Sequence, residues 1–321
     1  MRSSKWLLLG LSLVLALGLV GCAQNEAPPA DTSAETPQGP DVRVGSFLDS
    51  EGAIIGSMII QMLEANDIPT VDNTRLGTPD IVRRAMLENE IDIQVDYTGS
   101  GQFYHDGEEG KDLWSSAQEG HARIAELDLA ANDLHWLTPS PANNTELIAT
   151  TREFAEANNL RTMEDFARFI NEGGEAKLIG SAEWMESSKG LAGFEEAYGF
   201  EMAPGQLLGL AHGVTAEMLK ALSEGTDGVN FSLTYGTDGQ IDDFDLVVLE
   251  DTLGVPPIYL PTPVVRGEIM EAYPQIEEIL APVFESLDLV TLQQLNRRVA
   301  LGGEDASAVA REYLTENGFL E

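Results

Sequence analysis

Apolar and polar positions follow two different periods where the folded body of the chain begins. Residues 42–47 are mostly apolar and predict a strand, whereas residues 51–66 carry apolar side chains at helical spacing and predict an amphipathic helix. The pattern continues with a strand, a helix and a strand at 70–76, 79–88 and 91–95. This β-α-β-α-β order favours a parallel sheet with crossover helices.

A second β/α region follows in the middle of the chain, and the C-terminal part is predicted to be mostly helical. Strands are predicted at 146–150, 177–180, 228–233 and 246–249, and helices at 162–170, 190–198 and 215–222. Further helices are predicted to start near residues 267, 274, 291 and 305. The fold class is therefore α/β. In such sheets ligands bind beyond the carboxyl ends of the strands, so a site is expected in those loops.

The first 21 residues have the pattern of an export signal. A short basic start precedes the apolar run 6–20, which is shorter than the ~20 residues that a transmembrane helix needs. The run ends in Leu-Val-Gly-Cys at 19–22, which resembles a bacterial lipobox. Residues 1–21 are thus predicted to be a lipoprotein signal peptide, with Cys22 as the lipid attachment site. The alternative is a buried cysteine after an ordinary cleavage site.

Residues 22–41 are polar, rich in proline and without periodicity, which is typical of a flexible tether. A lipid anchor, a tether and a folded body together favour an extracytoplasmic receptor or enzyme. The predicted location is the cell envelope, in the periplasm or on the outer face of the cell membrane, with membrane contact through the N-terminal lipid only.

The charge of the chain excludes several classes of partner. It has 54 acidic and 18 basic residues, a formal net charge of −36. Nucleic acid is an improbable partner because each phosphate contact needs a lysine or arginine, and an anionic lipid surface is disfavoured for the same reason. The single cysteine excludes an internal disulfide framework and any site made of several cysteines.

No arrangement of residues in the sequence predicts catalysis or a cofactor. The four histidines form no close metal-ligand pair, and neither a nucleophile elbow nor a phosphate-binding glycine motif is present. A pair of carboxylates for glycoside hydrolysis stays open, because their separation in space cannot be read from the sequence. The chain is predicted not to be an enzyme, and to bind no metal.

Eight short motifs occur in an order and spacing typical of one family. They are 44–46, 51–53, 76–78, 96–101, 141–145, 235–239, 257–259 and 292–296. Together they resemble the osmoprotectant-binding proteins of ABC importers, which capture glycine betaine, choline or related quaternary amines. The resemblance implies a two-lobe periplasmic-binding-protein fold of type II, with two parallel-type sheets, flanking helices and a two-strand hinge. It implies lobe 1 at 42–143 and 248–321, and lobe 2 at 144–247.

The same resemblance implies an aromatic cage for the ligand. Tyr97, Tyr235 and Tyr259 match cage positions of the family. A quaternary ammonium has no N–H group to donate, but aromatic faces attract it through cation–π interactions. The alternative for each tyrosine is core packing with a satisfied hydroxyl. Asn144 belongs to the matching Asn-Asn-Thr motif and is included in the predicted site.

Three positions depart from the family pattern and change the expected ligand. Phe47 and Ser187 stand where the family often has the lysine and arginine that hold a ligand carboxylate, and Glu146 stands where an aromatic residue is usual. Ser100, in place of a threonine, remains the candidate hydroxyl donor. An unpaired carboxylate near Glu146 would be costly in a desolvated cleft. We therefore expect a cation without a carboxylate, such as choline, with Phe47 and Trp184 as additional walls.

The expected function is a monomeric solute receptor that delivers its ligand to an ABC permease, whose partner ATPase hydrolyses ATP in the cytoplasm. Other interpretations stay open. In one, Glu146 faces solvent and a distant arginine enters the cleft. In another, the receptor binds a polyamine or an amino acid derivative. The chain as an extracytoplasmic enzyme on the same frame, and as a structural lipoprotein with an inactive cleft, are the other two.

Overall fold

The computed structural model describes residues 39–110, 112–210 and 215–321. The strands are β1 Val42–Phe47, β2 Thr70–Gly77, β3 Ile93–Tyr97, β4 Leu134–Trp136, β5 Glu146–Thr151, β6 Leu178–Ser181, β7 Leu207–Leu210, β8 Phe231–Tyr235, β9 Leu246–Val248 and β10 Pro261–Arg266. The helices are α1 Ser50–Glu64, α2 Pro79–Leu87, α3 Gly101–Tyr104, α4 Ala117–Asn132, α5 Arg152–Asn158, α6 Met163–Asn171, α7 Ala182–Glu186, α8 Leu191–Tyr198, α9 Thr215–Glu224, α10 Gln240–Asp243, α11 Gly267–Ala272, α12 Ile276–Ser286, α13 Leu289–Ala300 and α14 Ala306–Glu316.

The strands form two five-stranded sheets, which confirms the α/β class. The first has the order β2-β1-β3-β10-β4 and the second β7-β6-β8-β5-β9. In each sheet three adjacent strands pair in parallel, as expected: β2, β1 and β3 in the first, and β7, β6 and β8 in the second. β10 and β5 run antiparallel to both of their neighbours. Both antiparallel strands are the first that the chain forms on arriving from the other sheet. A strand that follows a connection from the other sheet is not joined to its neighbours by a crossover helix, so it need not pair with them in parallel.

Two irregular segments connect the sheets and are hydrogen-bonded to each other. Residues 137–145 lead from β4 to β5, and residues 249–260 lead back from β9 to β10. The backbone N–H of Asn144 donates to the Tyr259 carbonyl at 2.9 Å, and the Thr145 hydroxyl donates to the Pro257 carbonyl at 2.8 Å. The predicted two-strand hinge corresponds to this pair of segments, and neither contains a strand.

The helices cover the sheets with two large apolar cores. α1 begins after Asp49, whose carboxylate accepts the Gly52 amide at 2.6 Å, and its buried face joins a core that includes β1, β3 and the C-terminal helices α12 to α14. A second apolar core is formed by strands β5 to β9 of the second sheet and by helices α6, α8 and α9. The end of the chain therefore returns to the first sheet. Within the described part of the chain, no helix has the length and apolar character needed to cross a membrane.

Candidate functional site

Tyr97 is the last residue of β3, and its ring packs beside Phe47 at the end of the neighbouring strand β1. The two ring centroids are 5.9 Å apart at an interplanar angle of 23°, a stacked arrangement. Phe47 is 6 % exposed, whereas Tyr97 is half-buried. The Tyr97 hydroxyl donates to Glu51 Oε1 at 2.7 Å. The first sheet thus presents one partly accessible aromatic ring with a buried aromatic support behind it.

Tyr235 and Tyr259 bring two further rings to the same region. Tyr235 ends β8 and is the direct cross-strand partner of Glu146, the first residue of β5. Tyr259 lies in the connecting segment 249–260, and its ring crosses the chain so closely at Gly99 that a Cβ there would lie 2.8 Å from Tyr259 Cδ1. Burial raises the pKa of both tyrosine hydroxyls, and the charge of Glu146 raises them further. The structure therefore groups Tyr235, Tyr259 and Glu146.

Glu146 has a carboxyl group that is unpaired among residues 39–110, 112–210 and 215–321: no hydrogen bond or ion pair reaches it. Burial, followed by the charge of Glu183, raises its pKa from 4.5 to about 7. Glu183 lies on the short helix α7, and its charge also raises the pKa of Tyr235 and Tyr259. The region around the two rings is consequently electronegative, which suits a cationic ligand.

Asn144 joins parts of the structure rather than presenting a free amide. Its Nδ2 donates to Glu51 Oε1 at 3.3 Å, and its Oδ1 accepts the Thr237 amide at 3.4 Å. Glu51 belongs to α1 at the first sheet, and Thr237 follows β8 of the second sheet. The neighbouring Asn143 Oδ1 accepts the Tyr259 amide at 2.9 Å. Both asparagines of the Asn-Asn-Thr motif thus fix the backbone around the tyrosines.

The remaining predicted residues have other surroundings. Ser100 is the last residue of the 3₁₀ turn Thr98–Ser100 and is half-buried. The Ser187 hydroxyl accepts the Lys189 amide at 3.2 Å. Trp184 is 1 % exposed and packs in the second core with Phe194, at 6.4 Å between ring centroids. The structure therefore does not place Trp184 as a wall of the cleft, because its ring is enclosed by the core.

Two carboxylates near the tyrosines were missed from the sequence. Glu51 is 5 % exposed and accepts hydrogen bonds from Tyr97, Asn144 and Asn296. Glu183 acts electrostatically on the group around Glu146. Glu51 falls in the motif 51–53, which was the available signal for it, whereas Glu183 lies in none of the eight motifs. The predictions for Cys22, the signal peptide 1–21 and most of the tether 22–41 lie outside the described residues.

Two sheets linked by a pair of connecting segments, with aromatic rings contributed from both sides, define a two-lobe solute-binding protein. The comparisons agree. The family model for the substrate-binding domain of ABC-type glycine betaine transport systems matches residues 40–316. The chain therefore belongs to this family.

Two curated relatives are similar over most of their length. The glycine betaine-binding protein YehZ of Escherichia coli K12 is 46 % identical over 280 residues, covering 87 % of this chain and 92 % of the relative. A glycine-betaine-binding protein of Pseudomonas aeruginosa is 30 % identical over 290 residues, covering 88 % and 90 %. The solved structure of apo YehZ has a TM-score of 0.73, covering 88 % of this chain and 100 % of that one.

Membership of this family defines the general role of the protein. The family consists of solute-binding components of importers and is not an enzyme family. Such components act outside the cytoplasm. The chain is thus the ligand-binding component of an ABC importer of the glycine betaine transport family.

Proposed function

We propose that this protein binds a quaternary ammonium ligand among Tyr97, Tyr235 and Tyr259, with Glu146 supplying the opposing charge. The observation that carries the proposal is the unpaired, half-buried Glu146 carboxyl beside two tyrosine rings. Each ring attracts such a cation by about 0.5–2 kcal/mol through cation–π interactions. Glu146 adds a Coulombic attraction that is strengthened by its partial removal from water.

The ligand is proposed to lie between two lobes, residues 42–143 with 248–321 and residues 144–247. Each proposed lobe is built on one of the two sheets, except that residue 248 is the last residue of β9 in the second sheet. The rings come from different lobes, so a ligand that contacts all three favours the closed arrangement. Differential affinity for the closed state then drives closure, which is the signal that the permease recognises.

Choline, rather than glycine betaine, is the ligand class that the charges favour. Phe47 and Ser187 offer no positive charge for a carboxylate, and Glu146 and Glu183 would repel one. The relatives in E. coli and P. aeruginosa are named for glycine betaine, so betaine is the direct competitor. A second candidate ligand is another cationic amine, which the carboxylates of Glu146 and Glu183 near the rings also favour.

Isothermal titration with choline and with glycine betaine, in the same high-salt buffer, tests this function. We expect choline to bind, betaine to bind more weakly, and Glu146→Gln to weaken choline binding by about tenfold. The control is Glu278→Gln, which removes the same charge from an exposed position without a hydrogen bond among the described residues. Tight betaine binding would contradict the proposed preference for a ligand without a carboxylate. Absence of binding by both choline and betaine would contradict the quaternary-amine function.

The remaining parts of the proposal concern location and assembly. Residues 1–21 act as the signal peptide, Cys22 carries the lipid, and 22–41 tether a monomer that docks on a permease with a cytoplasmic ATPase. The protein itself performs no chemistry on its ligand, so choline recovered after incubation is expected to be unchanged. Mass spectrometry of the mature N-terminus tests the anchor: a lipid-modified Cys22 is expected, and an unmodified N-terminus elsewhere would contradict it.

A further inference from the structure

Glu51 is a buried carboxylate near the tyrosines that has no cationic partner within the described ranges. It lies in the first turn of α1 and is 5 % exposed. Its Oε1 accepts the Tyr97 hydroxyl at 2.7 Å and Asn144 Nδ2 at 3.3 Å, and its Oε2 accepts Asn296 Nδ2 at 2.7 Å. Burial raises the pKa of Glu51, and the hydrogen bonds from Tyr97 and Asn296 oppose that rise, as does the N-terminus of a 15-residue helix.

The donors around Glu51 come from separate parts of the fold. Tyr97 ends β3, Asn144 lies in the connecting segment 137–145, and Asn296 lies on α13 near the C-terminus. Both asparagines also contact Thr237: Asn296 Nδ2 donates to its carbonyl at 3.0 Å, and Asn144 Oδ1 accepts its amide at 3.4 Å. Glu51 therefore anchors Tyr97 to a network that extends to the loop after β8.

We propose that Glu51 is a positioning residue that orients the Tyr97 ring for the solute without touching the solute itself. The inference rests on the proposed function for the role of that ring. Tyr97 has support on two sides, since Phe47 stacks on its face and Glu51 holds its hydroxyl. A ring fixed in this way loses little motion when a ligand binds, which improves affinity.

A carboxylate at this position is chemically specific. Glu51 accepts three hydrogen bonds from three donors. Glutamine has the same shape but only one accepting oxygen, so its NH₂ group would face Asn296 or Asn144 donors. Glu51→Gln therefore disturbs the network without creating a cavity, and Tyr97→Phe removes the hydroxyl while keeping the ring.

The first test uses the ligand-free protein labelled with 3-fluorotyrosine. Loss of one ¹⁹F resonance in Tyr97→Phe identifies the signal of Tyr97 among the seven tyrosines. We expect Glu51→Gln to shift or broaden that signal, and Glu278→Gln to leave it unchanged. A Tyr97 signal that is the same in Glu51→Gln and the parent would overturn the proposal.

The second test is a double-mutant cycle measured by choline titration. We expect Glu51→Gln to weaken binding about tenfold in the parent but less than about twofold in the Tyr97→Phe background, because the same hydrogen bond is then already absent. Equal weakening in both backgrounds would overturn the positioning role and indicate a general structural effect. If the parent binds neither choline nor betaine, the proposed function fails, and the ¹⁹F spectra still decide the role of Glu51.

Discussion

Binding of a cation next to Glu146 is predicted to release a proton. The pKa of the Glu146 carboxyl is raised from 4.5 to about 7 by burial and by the charge of Glu183. At about 1.4 kcal/mol for each tenfold change in proton affinity, ionising this group in the cleft costs up to about 3 kcal/mol. A ligand cation about 4 Å away contributes about 4 kcal/mol at an effective dielectric constant of about 20. The two terms are comparable, so the cation restores the ionised form.

The pH dependence of choline affinity follows from this balance. Below pH 7 the Glu146 carboxyl is mostly protonated and must lose its proton, so the affinity is predicted to rise about tenfold per pH unit towards pH 7 and to level off above it. Titration at pH 7 in two buffers of different ionisation enthalpy should report about half a proton released per ligand bound.

Variants decide whether Glu146 is the responsible group. Glu146→Gln is predicted to remove most of the pH dependence of choline affinity and most of the proton release between pH 6 and 8, whereas Glu278→Gln should behave like the parent. A parent protein whose choline affinity does not change with pH, or an unchanged pH dependence in Glu146→Gln, would exclude Glu146 as the group that releases the proton.

Three other outcomes are expected. Tyr235→Ala should weaken choline binding about 2- to 30-fold in a titration, whereas Tyr235→Phe should stay within about threefold because the ring remains; equal losses would argue against ring contact. Burial raises the pKa of Asp96 to about 6 and of Asp238 to about 7, so their contribution to stability is complete below pH 3.8 and is lost as the pH rises through 6 to 7. Thermal unfolding of the ligand-free protein between pH 4 and 7.5 measures this loss of stability. The comparison is with Asp96→Asn and Asp238→Asn, in which the corresponding part of the pH dependence should be absent. Asp128→Asn leaves the buried Arg83 without its bidentate partner at 2.6 and 2.7 Å, and should cost about 3–5 kcal/mol in urea unfolding; an unchanged midpoint would contradict this.

Local sequence signals were sufficient for most of the elements around the site. β1 and α1 follow their predicted periods, and α6 begins with the capping box of Thr162 and Asp165. β10 was missed because Pro261 and Pro263 lack the N–H that a strand normally donates; here their carbonyls accept hydrogen bonds from Ser140 and Leu137.

One long helix was also missed, for a different reason. α4 buries only Gly120, Ile124 and Asp128, so it lacks the apolar stripe on which the sequence interpretation depended. Asp128 is held in the interior by Arg83 and by Trp136, whose indole donates at 2.7 Å. Polar burial of this kind depends on partners distant in the chain and leaves no periodic signal.

The candidate site residues were named from family motifs. The three tyrosines and Glu146 were named from their positions in motifs, and the structure groups Tyr235, Tyr259 and Glu146. Glu51 was not named, because its importance comes from donors at positions 97, 144 and 296 that only the fold brings together. Trp184 was named as a wall, but an aromatic residue in a core and one lining a cleft look alike in sequence.

A crystal structure of the protein with choline bound tests the proposed site most directly. We expect the trimethylammonium group to lie among the rings of Tyr97, Tyr235 and Tyr259, with Glu146 as the nearest carboxylate. Choline bound elsewhere, or at this place but with Glu146 turned away into solvent, would exclude the proposed site.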